Sequence, residues 1–384
     1  MSTLNNKIDS ADRMRIALEG GCPDKVPLYF VHDERYVMQA QGKTMREYFT
    51  STAQEMSVMV ENGFYLHPCD GFMVETMHEF DFCDHHALEE VKDGYHIFRN
   101  TDTGGRFKMG EDGCRYTMDG RVIKETPTCE ESLITCHDDI CRLVPKSPPT
   151  GFDGETGYYG GARRLSAKNP GVHFSCELTT PLARAVWRCG GYEAGLCLLQ
   201  DDPSLMMALM EAEMALEMQR LPAMVQAGAK SVYLTSYFTG SDTISPDTFR
   251  RMVLPLEIEM INQVHAVGLF VIYWFLGDME PLLLDFRSMP FDTLALEQPR
   301  KGYTASYQAI RRALGNKCLM AHTLEEDTIN DRSESMRIYF DAQFQEAGRD
   351  GAFIAGVTIT PQNANPEALR HYAAIVDGYA YPQP

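Results

Sequence analysis

The chain lacks the short motifs that usually announce a catalytic machinery. Its 384 residues contain no CxxC pair, no HExxH, no GxSxG and no glycine-rich phosphate fingerprint. That removes the common zinc-ribbon, zincin, nucleophile-elbow and dinucleotide-binding readings, and leaves nucleophilic Ser or Cys catalysis without a motif. Positive charge is also short. Lys and Arg number 35 against 54 Asp and Glu, a formal charge of −19, which does not fit a generally basic nucleic-acid surface. There is no uninterrupted apolar run of roughly 18 residues. The opening MSTLNNKIDSADRMRIALEG passes from a polar start into a short amphipathic helix, not a charged-then-apolar leader. A soluble, cytoplasmic protein that binds neither nucleic acid nor membrane is expected. Low-complexity tracts and strong linkers are missing as well.

The sequence has ample material for a core. It is 44% hydrophobic and 23% charged, the balance of a folded globular chain. The 11 cysteines are odd in number and scattered; they read as reduced, small core residues and not as a disulfide framework. The 22 methionines read as soft core packing.

Organisation is clearest in Gly268–Gln298. Leu269–Phe275 is a run of apolar, β-branched and aromatic residues, broken by Gly277-Asp278. A short helical segment follows, and a second run, Asp292–Leu296, ends in Glu297-Gln298-Pro299. The same strand–loop–helix grammar predicts further strands at Leu28–Val31, Gly71–Glu75, Val172–Cys176, Ser231–Ser236, Lys317–Ala321 and Ala352–Ala355. Helices are predicted over Ile8–Glu19, Thr44–Asn62, Thr128–Leu143, Pro203–Gln226, Pro246–Val267, Thr328–Ala347 and Pro366–Asp377. From about Glu90 to Thr126 the rhythm changes to alternating residues cut by Asp-Gly and Gly-Gly turns, which predicts an inserted antiparallel β-meander. Pro145–Gly171 is rich in Pro and Gly and reads as a loop able to cover a site. Eight strand candidates alternating with helices predict an α/β fold, a (β/α)8 TIM barrel. It forms one domain over residues 1–384, with an N-terminal helical extension and the inserted meander.

Ligands and catalysis collect at the carboxyl ends of barrel strands. That rule gathers His32 and Asp33, Glu75, Cys176 and Glu177, Tyr237 and Asp242, Trp274 and Asp278, Glu297, His322 and Thr358 at the mouth. An acid-rich mouth with two histidines can hold a metal or move protons. Structural alternatives stand beside each. A histidine at a strand end serves as a hydrogen-bonded wall residue, Asp278 caps the helix that starts near Met279, and one of Tyr273 and Trp274 must point away from the lumen in a regular strand. His67-Pro68-Cys69 has metal-ligand residue types but precedes its strand, at the opposite end of a barrel.

The order of several segments resembles the uroporphyrinogen decarboxylase superfamily. RMRIALEGGCPDKVPLYF is similar to its start, in which a helix with an Arg and an Ala-Leu pair leads to a Pro-Asp-basic-Val-Pro turn. GKTMREYF and CDGFMVE resemble the next block. TTPLARAVWRCGG with QAGAKSVYLTSYFTGSDTISPDTFRRMVLPLEIEMI resembles the middle, and NKCLMAHTLEED with GAFIAGVTITPQNANPEALRHYAAIVDGY the last two units. The resemblance implies a (β/α)8 barrel and two kinds of chemistry.

Decarboxylases of this superfamily carry an Arg-rich stretch after the first strand to hold substrate carboxylates. The corresponding HDERYVMQAQGK has one Arg, Arg35, and two acids, a poor match because like charges would be buried together. Thiol-activating methyltransferases of the superfamily carry His-x-Cys near the end of strand five and a Cys at strand eight as zinc ligands. The matching positions here are Trp274, Leu276 and Thr358, so the usual ligands are absent and zinc is left open. The resemblance that remains is to methyltransferases that take a methyl group from a methoxylated aromatic or other methylated donor. They pass it to the cobalt of a corrinoid held by a partner protein.

Such chemistry needs an aromatic slot and an acid to protonate the leaving oxygen, or a metal to polarise it. Of the strand-end residues, Glu297, His322 or Asp278 are the candidate catalytic groups, with His32, Glu75, Tyr237 and Tyr273 or Trp274 as candidate substrate-binding residues and Phe238 as a further wall. A homodimer is a family expectation. Two other functions are open: decarboxylation of a small carboxylated substrate, with Arg35, Arg163, Arg164, Arg184 and Arg300 as the plausible cationic clamp, and a non-catalytic ligand-binding barrel.

Overall fold

A computed structural model describes residues 8–75, 86–123, 132–148, 158–297, 306–321, 334–360 and 364–382. Strands β1 (Leu28–Asp33) and β2 (Gly71–Glu75) come first. A four-stranded antiparallel sheet follows, made of β3 (His86–Lys92), β4 (Tyr95–Asn100), β5 (Arg106–Met109) and β6 (Arg115–Tyr116). Then come β7 (His173–Thr179), β8 (Ser231–Ser236), β9 (Phe270–Phe275), β10 (Thr293–Leu296), β11 (Cys318–Met320) and β12 (Phe353–Thr360). Eight of these strands close a barrel in the order β1-β12-β11-β10-β9-β8-β7-β2, each pair parallel. With helices between the strands and the meander set between β2 and β7, this is the expected (β/α)8 barrel with an inserted sheet.

The period of two along each strand makes two cores. Outward residues such as Phe30, Phe72, Leu178, Leu234, Tyr273 and Phe275 pack under the helices. Inward residues, among them Tyr29, Val31, Met73, Tyr233, Ile272, Trp274, Ala295, Met320 and Ile354, fill the lumen. Helix Ser10–Leu18 plugs the floor by adding Met14, Ala17 and Leu18 to that inner cluster. Arg13 fastens it, donating to Asp24 Oδ1 at 2.6 Å and to Asp70, whose other oxygen accepts the Leu28 N–H at 3.0 Å. Gly71 must lack a side chain here, because a Cβ would stand 2.2 Å from the Tyr29 ring.

Several elements differ from their predicted bounds, for local reasons. Thr44–Asn62 is two helices, Met45–Phe49 and Ala53–Phe64, because Thr44/Glu47 and Thr52/Glu55 each form a capping box that starts a new helix. The helix predicted from Thr128 starts at His137, after the extended Cys136, and residues 124–131 lie outside the described residues. The predicted loop Pro145–Gly171 contains a helix, Tyr158–Lys168, whose Tyr159, Ala162 and Leu165 are buried in the outer core at three-residue spacing. The third barrel strand runs past Cys176 to Thr179, as its ladder with β8 continues through Thr179↔Thr235. Proline reshapes two helices. Pro203–Gln226 breaks at Arg220, before Pro222. Pro246–Val267 accommodates Pro255 by widening into a π-helical turn at Phe249–Val253. The last strand extends to Thr360 through a register shift against β1. The described part of the helix predicted over Thr328–Ala347 is Glu334–Gln343 continued by a π-helical turn, Phe344–Gly348, and Pro366–Asp377 matches its expectation.

Candidate functional site

A column of rings climbs from the floor of the barrel to its rim. Tyr29 stacks over Tyr233 with centroids 6.2 Å apart, Tyr233 lies 5.7 Å from Trp274, and Trp274 meets Tyr237 edge to face at 6.0 Å. At the rim Tyr237 contacts Trp187 at 5.4 Å and Phe238 at 6.0 Å, and Phe238 reaches the half-exposed Tyr192 at 5.4 Å. The strands position this column: Tyr233 and Trp274 occupy inward positions of adjacent β8 and β9, and Tyr237 and Phe238 follow β8 directly. Phe238 has φ +65, a left-handed conformation that a bulky residue holds only when its surroundings fix it.

Carboxylates surround the upper end of the column. Glu177 takes an inward position on β7, alternating with the outward Cys176 and Leu178, and accepts the Thr235 hydroxyl at 3.0 Å. Glu297 continues the inward series of Thr293 and Ala295, and its Oε2 accepts the Gly277 N–H at 3.0 Å. Asp33 is buried at the end of β1. Gly277, at φ +115, lets the β8 and β9 loops touch: a Cβ there would stand 2.6 Å from Asp242 Oδ1. Asp242 accepts the Asp278 N–H at 2.8 Å, while Asp278 accepts the Ser241 hydroxyl and, at 3.2 Å, the Glu280 N–H of the next helical turn.

The predicted site residues therefore divide. Trp274 and Tyr237 come together in the upper lumen, and Glu297 stands at the end of the adjacent β10, bonded to the Gly277 N–H. Asp278 ties two loops and caps the turn Glu280–Leu282. Tyr273 points outward, stacks on Phe291 with centroids 5.3 Å apart and donates to Glu257 Oε2 at 2.6 Å. His32 also faces the helical layer, among Phe30, Tyr36, His67 and Phe72. Its Nδ1 lies 2.8 Å from Thr360 Oγ1, and burial holds its pKa well below the ordinary value. The bulge in the β1–β12 ladder turns Thr360 to that same side. The side chains of Glu75, Thr358 and Arg35, and all of His322 and Arg300, lie outside the described residues.

Glu257 is a residue the sequence reading missed. It is fully buried, accepts from Tyr273 and from Ser236 Oγ at 3.0 Å, and burial pushes its carboxyl up to about 7 against those hydrogen bonds. A signal existed, for Glu257 shares a helical stripe with Met260, Ile261 and Val264, all buried. Tyr233 and Trp187 were missed too, the one lying mid-strand and the other on a helix.

None of the eight barrel strands carries a lysine or an arginine. Two arginines of the considered clamp are engaged in the helical layer, Arg164 with Glu61 at 2.6 Å and Arg184 with Glu213 and Glu217 at 3.6 and 3.5 Å. Trp274 and Leu276, at the positions where thiol-activating relatives place zinc ligands, both pack in the lumen. Among the described residues no group of three or more His, Cys, Asp or Glu side chains could hold a metal ion, and no helix is long and apolar enough to cross a membrane.

Fold and site define a (β/α)8 barrel with an aromatic lumen, acidic at the carboxyl ends of its strands. The uroporphyrinogen decarboxylase (URO-D) family matches residues 113–377, and the chain belongs to that family of enzymes. Among solved structures it is similar to a methyltransferase from Methanosarcina mazei, at 16% identity and a TM-score of 0.67, covering 96% of this chain and 98% of that one. A more remote likeness is to a B12-independent methionine synthase from Shewanella, at 10% identity and a TM-score of 0.43, covering 57% of this chain and 65% of the other. No curated protein matches.

Proposed function

We propose that this protein is a methyltransferase that moves a methyl group from a small methoxylated, in the first instance aromatic, or otherwise methylated donor to the cobalt of a corrinoid protein. The observation that carries this reading is the make-up of the lumen. Rings line it from floor to rim, carboxylates stand at its upper end, and its strands hold no cation. An apolar ring with a methoxy group suits such a slot, while a carboxylated substrate would be desolvated beside like charges. The full-length fold likeness to a methyltransferase is in keeping with it.

In this reading Tyr233, Trp274 and Tyr237 hold the donor by stacking, and filling the column excludes water from the reacting end. The corrinoid, brought by its own protein, supplies the nucleophile that accepts the methyl group. The C–O bond breaks with its electron pair left on oxygen, and Glu297 is the group assigned to deliver the proton that this oxygen takes up, with the inward-facing Glu177 as a second candidate. The described residues offer no ligand set for zinc, so no step is assigned to a metal. A cytoplasmic location and a homodimer accompany the reading as family expectations.

The family name favours a second reading, decarboxylation of a small carboxylated substrate. It needs a cationic clamp, and Arg164 and Arg184 are committed elsewhere. The test is to incubate the protein with methoxylated aromatics and a reduced corrinoid protein and follow the cobalt absorbance. Methylation of cobalt supports the proposal. An unchanged spectrum across a broad donor panel contradicts it, and carbon dioxide release from a carboxylated substrate would put the second reading in its place.

A further inference from the structure

Trp274 is 4% exposed, and its Nε1–H has no hydrogen-bond partner among the described residues. Buried donors without partners are few in natural proteins, because desolvation of the N–H is not repaid. The ring sits at an inward position of β9 between Tyr233 and Tyr237. A phenylalanine there would also stack on its neighbours but would bring no donor. An indole left with an open donor in a lumen is therefore suited to a ligand that brings the acceptor. With Glu177 and Glu297 at the same end and no lysine or arginine on any barrel strand, an uncharged oxygen fits better than a carboxylate.

We propose that Trp274 is a specificity-determining residue, whose Nε1–H donates a hydrogen bond to an uncharged ether or carbonyl oxygen of the bound methyl donor. This rests on reading the lumen as the donor slot. It adds that the slot selects a ligand with an ether or carbonyl oxygen at this point over one of the same shape with a methylene there.

Two soluble phenols separate these claims, 4-methoxyphenol and 4-ethylphenol, which differ by an oxygen in place of a methylene. Binding of each to wild type and Trp274→Phe is measured by calorimetry. The variant should bind 4-methoxyphenol about three- to ten-fold more weakly and 4-ethylphenol within about two-fold of wild type. Equal loss for both ligands, or no loss for either, overturns the role of the N–H and leaves the aromatic slot standing. Failure of both phenols to bind the wild type overturns the slot reading with it. The chain has two tryptophans, so Trp187→Phe leaves Trp274 as the single indole and gives a measurement that does not depend on the folding of the first variant. Its ultraviolet resonance Raman band for indole N–H hydrogen bonding should shift with 4-methoxyphenol and not with 4-ethylphenol. Identical spectra with both would refute the hydrogen bond.

Discussion

Tyr273 donates its phenol hydrogen to Glu257 at 2.6 Å, while the next residue on the strand, Trp274, turns its indole into the lumen. One dipeptide thus holds both faces of the barrel wall. Ser236, on the neighbouring strand, joins Glu257 at 3.0 Å, and Thr235 beside it reaches inward to Glu177. The lumen wall at Trp274 rests on a polar network buried behind it.

That network makes stability depend on pH. Glu257 is raised from 4.5 to about 7 in the folded protein, so below about 4.5 both folded and unfolded chains hold the proton and its full benefit is present. As pH rises to about 7 the unfolded chain ionises first and stability declines, levelling above that, by roughly 3 kcal/mol at most. Glu257→Gln should remove this slope. Urea unfolding at pH 5 and pH 8 checks it, and parallel profiles for variant and wild type would show that Glu257 is not the titrating group.

Removing the Tyr273 hydroxyl takes a donor from a buried carboxyl. Tyr273→Phe should cost about 1–3 kcal/mol. Chemical denaturation gives the number, and a loss under half a kcal/mol would mean that water or another group replaces the phenol.

The floor is held by an ion pair with little access to water. Arg13 and Asp70 have side-chain exposures of 4% and 8%, and removing one partner strands the other. Arg13→Ala should destabilise by about 3–5 kcal/mol, measured as a shift of the denaturant midpoint, while Arg15→Ala on the same helix should change stability little because its pairs are exposed.

At the rim, Glu297→Gln keeps an acceptor for the Gly277 N–H and removes the proposed proton source. Single-turnover demethylation should slow about 10²–10⁴-fold with donor affinity unchanged. A variant as fast as wild type would shift the role to Glu177 or to a residue outside the described set.

Much of the fold was legible because its signals are local. Apolar runs ending in polar residues marked the strands, and Asp-Gly and Gly-Gly turns marked the meander. Non-local causes hid the rest. The third strand reaches Thr179 only because β8 pairs with it that far, and the helix at Tyr158–Lys168 was concealed by flanking prolines and glycines. For the candidate site, strand ends pointed to Trp274 and Tyr237, which the fold places in one ring cluster of the lumen, and to Glu297 at the end of β10. Sidedness failed at Tyr273, whose partner Glu257 is 16 residues away, and at His32, where a register shift in the β1–β12 ladder pairs it with Thr360 on the outer face. The value of the column from Tyr29 to Tyr192 lies in contacts between strands and helices that no single segment displays.

The most direct measurement of the central claim follows the methyl group itself. A methoxybenzene donor labelled with carbon-13 in its methoxy group is incubated with the protein and a reduced corrinoid protein, and the label is tracked by NMR. The account predicts that the label leaves oxygen, appears on cobalt, and is matched mole for mole by the phenol released. Label that stays on the donor across a panel of methoxylated and methylated compounds, with corrinoid protein active toward a known methyl source, would contradict it.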